Sequence, residues 1–159
     1  VSGGSLDPAM FATIARLGVP YVLMHLRGTP QTMTSMANYE NVTLDVIAEL
    51  SEKVAQLRAL GVKDLILDPG FGFAKTPAHN DQLLRDLPAF RVFELPLLVG
   101  LSRKSSIWRR LGLSPDEALN GTTVLNTVAL LGGASLLRVH DVKEAVEAVK
   151  LTRYLIPDT

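Results

Sequence analysis

Leu65-Ile66-Leu67-Asp68-Pro69-Gly70-Phe71-Gly72-Phe73-Ala74-Lys75 is the stretch that decides the fold. Three apolar residues without polar alternation end on a carboxylate, and a Pro-Gly turn follows at once. Such a run reads as a short strand buried on both faces, as in a parallel sheet. The rhythm recurs. Tyr21-Val22-Leu23-Met24 precedes His25-Leu26-Arg27-Gly28-Thr29-Pro30, and Leu97-Leu98-Val99 precedes Gly100-Leu101-Ser102-Arg103-Lys104-Ser105. Leu136-Leu137-Arg138-Val139-His140 runs into Asp141.

Helical signals fill the intervals. Asp7 and Pro8 can start a helix that Gly18 ends. Leu44, Ile47, Leu50, Val54 and Leu57 recur at helical spacing before Gly61. Asn80 to Leu87 places Leu83, Leu84 and Leu87 on one face, and Ser114-Pro115-Asp116-Glu117 reads as a capping box. A helix over about Thr122 to Leu131 should stop at Gly132-Gly133, and Asp141 with Glu144 forms a box-like start to another.

Parallel strands joined by helices give an α/β class. The predicted architecture is the carboxy-terminal half of a (β/α)8 TIM barrel, four parallel strands with flanking helices, with open edges at Tyr21–Met24 and Leu136–His140. A four-stranded open sheet is the competing form. A helix precedes the first strand, and Val1-Ser2-Gly3-Gly4 resembles the tail of a strand-to-helix loop. The chain begins with Val1 rather than Met, so a processed, trimmed or partial polypeptide is expected. Residues 1–159 are thus read as one partial domain whose amino-terminal half is missing.

Composition narrows the function classes. The 159 residues are 47% hydrophobic and 20% charged, enough for a packed core. Sixteen basic residues balance sixteen acidic ones, a poor match for general nucleic-acid binding. With no Cys there is no disulfide scaffold, thiolate metal site or cysteine nucleophile. Ala118 to Leu137 carries no charge, but its Asn, Thr and Gly content reads as helix, turn and strand rather than a membrane span. No secretory leader is visible, so the cytoplasm is expected.

In a βα barrel the chemistry sits at the carboxyl ends of the strands. Collecting those ends gives a rim of Arg27, Lys75, Arg103, Lys104, Arg138 and His140 with few carboxylates. A basic rim on a neutral chain implies an anionic ligand, phosphate or carboxylate. Asp68 is either a turn residue or a carboxylate for a ligand with adjacent N–H donors, such as an aminopyrimidine edge. Phe71 and Phe73 approach the rim or simply pack. Ser102-Arg103-Lys104-Ser105 puts cations where a helix start disfavours them, which points to a ligand over a merely solvated helix start. Arg138 and His140 share one strand face, and Arg138 is an anion clamp or the partner of Asp68 or Asp141. His25 reads as a satisfied structural histidine and His79 as loop surface.

Leu23-Met24-His25 with Arg27-Gly28, Asp68-Pro69-Gly70-Phe71-Gly72-Phe73 with Lys75, Gly100 with Ser102-Arg103-Lys104-Ser105, and Arg138-Val139-His140-Asp141-Val142 together resemble dihydropteroate synthase, the pterin-binding enzyme of folate biosynthesis, in a bacterial form. The resemblance implies a transferase on a (β/α)8 barrel. It condenses 6-hydroxymethyl-7,8-dihydropterin diphosphate with 4-aminobenzoate, giving 7,8-dihydropteroate and diphosphate. It implies catalytic roles for Asp68, Lys104, Arg138 and His140: Asp68 on the pterin N–H groups, Lys104 between the two substrates, Arg138 along the pterin face and on the diphosphate, His140 on phosphate. Met24 and Gly100 become pocket wall, and Phe73 and Ser105 parts of the aminobenzoate site. It also implies a homodimer when intact, sulfonamide binding and Mg2+, with no metal ligand in this stretch and the ligand in the family's amino-terminal half. That half, with its Asn-x-Thr-Pro-Asp-Ser loop, lies outside the matched motifs, so the isolated stretch is expected to be inactive. A pterin-binding methyltransferase with a corrinoid partner, or a non-catalytic module, are the alternatives.

Overall fold

The structure is a computed structural model and describes residues 2–29 and 31–155. The expectations for Val1 and Pro30 lie outside the described residues. The chain is α/β. Helix α1 (Met10–Leu17) precedes strand β1 (Tyr21–Met24), and α2 (Val42–Ala59) leads to β2 (Leu65–Asp68). Then come α3 (Pro77–Arg85), a 3₁₀ helix (Leu87–Phe93) and β3 (Leu98–Val99). Helix α4 (Ser105–Leu111), a short 3₁₀ turn (Pro115–Glu117), α5 (Leu119–Leu131), β4 (Leu136–Leu137) and α6 (Val142–Thr152) complete the order.

All pairings among the described strands are parallel. β1 pairs with β2, Met24 opposite Asp68, and β3 pairs with β4, Val99 opposite Leu137. A single bridge, Leu67 to Leu97, joins the two ladders, with Leu67 N–H donating to the Pro96 carbonyl at 2.9 Å. The expected continuous four-stranded sheet is therefore two short ladders hinged at one point. β4 stops after Leu137, so Arg138 and His140 lie beyond the strand, although Arg138 N–H still reaches the Val99 carbonyl at 2.9 Å.

The strands are not equally buried on both faces. Leu23, Leu65, Leu67 and Val99 are buried in a core with Val42, Val46, Leu50, Val54 and Leu57 of α2, and with Leu83, Leu87 and Phe90. On the opposite face Val22 and Leu136 are exposed, at 36% and 39%. The opposite face is therefore covered only in part, with Met24 buried and Val22 and Leu136 open. Truncating a fully buried core leucine such as Leu50 to Ala should cost about 2–5 kcal/mol.

Helix details depart from the sequence reading in small ways. In α2 the buried stripe is set by Val42 and Val46, and Leu44 is 62% exposed. Asn41, whose side chain accepts the Thr43 and Leu44 N–H groups, fixes that phase. α1 starts after the Asp7-Pro8 turn and ends at Gly18, left-handed with φ 63°. His79 sits in the first turn of α3 rather than a loop, where its ring accepts the Thr76 N–H in a capping box. The Ser114–Glu117 box forms, on the 3₁₀ turn ahead of α5. Asp141 makes no cap bond at α6.

Candidate functional site

Four strand ends line up. Met24 and Asp68 end β1 and β2 in register, Gly100 follows β3 and Arg138 follows β4. Along β1 and β3, Val22 with Met24 and Leu98 with Gly100 alternate onto the same side. That side lines a cavity of about 350 Å³, whose polar groups are Asp68, Lys104 and Arg138. Met24, Phe73 and Gly100 also line it. Six residues from four separate stretches of the chain thus meet in one place.

A second cavity of about 770 Å³ lies across a shared wall of Phe71, Phe73 and Lys104. Ser105, Ser106, Asn80 and Arg109 border it. Phe71 is buried in the core, while Phe73 is half-buried between the cavities with Lys104 Nζ 5.1 Å from its ring centre. Such a cation–π contact holds a charged head over a ring without neutralising it.

Asp68 does part of what an Asp-Pro-Gly turn demands. Its Oδ1 accepts the Gly70 N–H at 2.8 Å. Among the described residues no donor reaches Oδ2. Burial pushes its carboxyl above the ordinary value, while the Gly70 N–H and the Lys104 and Lys75 charges pull the other way. Burial also lowers Lys104, opposed by Asp68 and reinforced by Arg138. Lys104 donates to the Phe71 carbonyl.

The basic rim is smaller than the sequence implies. Arg27 is held by Glu49 and Asp45 of α2. Arg103 is held by Asp141 and Asp116. Lys75 is turned inward onto His25 and onto the Gly70 and Phe73 carbonyls, and burial brings it down to about 7. Glu49 and Asp45 of α2 and Asp116 of the short 3₁₀ turn lie outside the strand-end motifs, while Asp141 belongs to the motif after β4 and pairs with Arg103 across 38 residues. Arg138 makes no ion pair among the described residues, so neither Asp68 nor Asp141 is its partner. His25 is a buried, fully bonded histidine between Glu49 and Lys75. His140 stands apart from the cavity, its Nδ1 2.9 Å from Ser102 Oγ.

The sequence reading missed Glu49, Tyr39 and Thr122. Glu49 meets Arg27 and His25 across 22 and 24 residues, so no local pattern announces it.

Residues 1–140 match the family model described as pterin binding enzyme. The chain belongs to the pterin-binding enzyme family. Within it, the chain is 42% identical over 147 residues to dihydropteroate synthase of Escherichia coli (strain K12), covering 91% of this chain and 52% of that protein. It is 41% identical to the Mycobacterium leprae dihydropteroate synthase, covering 95% and 56%. The chain spans about half the length of the curated relatives it matches. Among solved structures, Thermus thermophilus dihydropteroate synthase in complex with 4-aminobenzoate superposes with a TM-score of 0.92 at 39% identity, over 98% of this chain and 64% of that one. The same enzyme in complex with 6HMPPP gives 0.90 at 39%, over 96% and 62%. A Yersinia pestis dihydropteroate synthase with a sulfonamide drug gives 0.90 at 38%, over 94% and 55%. This member of the pterin-binding family therefore has the fold of the dihydropteroate synthases, a TIM-barrel family.

Proposed function

We propose that this chain carries the pterin pocket of a dihydropteroate synthase, joining 6-hydroxymethyl-7,8-dihydropterin diphosphate to 4-aminobenzoate with release of diphosphate. The observation that carries the reading is the meeting of Asp68, Lys104 and Arg138 on one cavity of about 350 Å³. The 4-aminobenzoate complex and the 6HMPPP complex of the homologues support the substrate pair.

The residues divide the work. Asp68 Oδ2 accepts the pterin N–H groups and stabilises positive charge on the ring as diphosphate departs. Arg138 lies along the pterin and holds the leaving group, a task for a planar guanidinium. Lys104, on the wall between the cavities, faces both substrates. Phe73 and Ser105 border the arylamine's side. The carbon–oxygen bond to diphosphate breaks and leaves a pterin-stabilised methylene cation, the arylamine nitrogen then attacks that exocyclic carbon, and the amine proton leaves to water. Catalysis is positioning and charge stabilisation, with no protein nucleophile.

His140 acts on the diphosphate from the edge. The His140 backbone N–H donates to Ser102 Oγ at 3.1 Å, and the Ser102 hydroxyl, 2.9 Å from Nδ1, has its proton to donate there. In that arrangement the ring proton is on Nε2, a donor for phosphate oxygen.

We also propose that residues 1–159 are one domain forming the carboxy-terminal half of a (β/α)8 barrel. The exposed apolar positions Val22 and Leu136, on the face away from the helices, support a second half covering that face. A homodimer of the intact protein, cytoplasmic location and sulfonamide inhibition belong to the same proposal. Among the described residues no three His, Asp or Glu side chains group to hold a metal, and no helix is long and apolar enough to cross a membrane. Mg2+ remains part of the proposal, with its ligand in the family's amino-terminal half, and no step above passes through it.

Isothermal titration with 6-hydroxymethyl-7,8-dihydropterin diphosphate, with and without 4-aminobenzoate, tests the reading. Pterin binding that strengthens 4-aminobenzoate binding supports it. Binding of neither opposes it.

A further inference from the structure

The turn after β3 and the turn after β4 are fastened together twice. Ser102 and His140 share the bonds just described. One residue further on, the Arg103 guanidinium grips the Asp141 carboxylate, Nε to Oδ2 at 3.1 Å and Nη2 to Oδ1 at 2.7 Å. Two parallel N–H···O bonds fix the orientation of both partners, which a single charge contact does not. Asp141 stands at the cap position of α6, yet its side chain makes no cap bond. Its carboxylate is directed across the turns instead.

Arg103 is also held in an uncommon backbone state. Its φ is 52°, in the left-handed region that a side-chain-bearing residue seldom enters without external support. Its N–H donates to Thr122 Oγ1 of α5 at 3.1 Å, which supplies some of that support. Neither Arg103 nor Asp141 lines the cavity. Their chain neighbours do: Lys104 follows Arg103, and Arg138 lies three residues before Asp141. Lys104 and Arg138 bear like charges, and without a rigid frame they would move apart.

We propose that Arg103 and Asp141 are positioning residues that lock the two turns into one unit, setting Lys104 and Arg138 at the separation a diphosphate-bearing pterin requires. This rests on the pterin diphosphate reading above. It assigns more of the diphosphate half of the affinity than of the ring half to the fork, since Arg138 also holds the leaving group.

Calorimetric titration of the whole chain with two probes tests it. One is 6-hydroxymethyl-7,8-dihydropterin diphosphate and the other is the same pterin without diphosphate. Arg103→Gly keeps a backbone suited to positive φ and removes the guanidinium. Asp141→Asn removes the charge. Each should bind the diphosphate probe about tenfold more weakly, the scale of a small misplacement of binding groups, and lose clearly less affinity for the diphosphate-free probe. The exchange Arg103→Asp with Asp141→Arg should recover most of the loss, since Asp tolerates left-handed backbone. If Arg103→Gly does not fold, Arg103→Lys, which keeps the charge and loses the fork, should show the same selective loss. Equal losses for both probes, or no loss for the diphosphate probe, would overturn the proposal. A wild-type chain that binds neither probe would instead overturn the parent reading, and this one with it.

Discussion

Lys75 Nζ lies 2.9 Å from His25 Nδ1, an ammonium donating to a neutral imidazole. The other imidazole nitrogen, Nε2, then carries the proton and donates to Glu49 Oε2 at 3.0 Å. Glu49 also holds Arg27, whose guanidinium lies 4.0 Å over the Tyr39 ring. Tyr39 Oη donates to the Ala74 carbonyl at 2.9 Å, next to Lys75. The chain of contacts closes around the turn from Gly70 to Lys75 and holds Phe73 on the wall between the cavities.

Glu49 makes this ring pH-sensitive. Burial raises its carboxyl, but the hydrogen bonds of His25 and Arg27 and the Arg27 charge outweigh that and bring it down to about 2 from 4.5. The folded state therefore binds this proton less readily than the unfolded state. The stability it contributes is fully present above pH 4.5 and is lost as pH falls towards about 2. Glu49→Gln should flatten the fall in unfolding free energy over that window, measured by urea titration at a series of pH values. Identical pH slopes in variant and wild type would contradict it.

Lys75 acts in the opposite range. Burial holds its ammonium at about 7 against an ordinary 10.5, so the unfolded chain keeps this proton where the folded chain has released it. Stability from this group rises between those values and is lowest below the folded one. Lys75→Met should remove that rise while losing the bonds to the Gly70 and Phe73 carbonyls, each 3.0 Å. Denaturant unfolding from pH 7 to pH 10 reads the difference, and an unchanged slope would count against a buried ammonium.

Gly70 has φ 71°, and a methyl group there would collide with the His25 carbonyl oxygen. Both the backbone conformation and the space exclude a side chain. Gly70→Ala should destabilise the fold by about 3 kcal/mol or more, the sum of left-handed strain and a backbone clash. Thermal unfolding checks it, and a melting temperature within a degree or two of wild type would show that the turn can relax.

Asp68→Asn should keep the turn, because the amide oxygen can still accept the Gly70 N–H. Toward a pterin it would oppose a donor with a donor. The expected loss of pterin affinity is about 2–4 kcal/mol, as for breaking a buried charged hydrogen bond. Calorimetry reports the affinity and thermal melting reports the fold. A large loss of stability with unchanged affinity would assign Asp68 to structure instead.

The sequence carries the βα order plainly, because short apolar runs ending on Met24, Asp68 and Val99 are local facts. It also carries the turn chemistry, since Gly18 ends α1 and the Ser114 box forms. It overstates β4, because Arg138 to His140 look strand-like by composition while only Leu136 and Leu137 have a partner strand to pair with. Leu44 misleads because Asn41 sets the phase of α2. At the site, Asp68, Lys104 and Arg138 are legible from their strand-end positions. The neutralisation of Arg27 by Glu49, of Arg103 by Asp141, and the inward turn of Lys75 are tertiary events between distant residues.

The proposed function stands or falls on whether the cavity at the strand ends receives the pterin. A crystal structure of the protein with 6-hydroxymethyl-7,8-dihydropterin diphosphate tests it most directly. The pterin ring is expected in the cavity of about 350 Å³, its amino and ring N–H groups on Asp68, its face along Arg138, and Lys104 between ring and second cavity. A pterin bound elsewhere, or bound there with Asp68 out of hydrogen-bond reach, would contradict it.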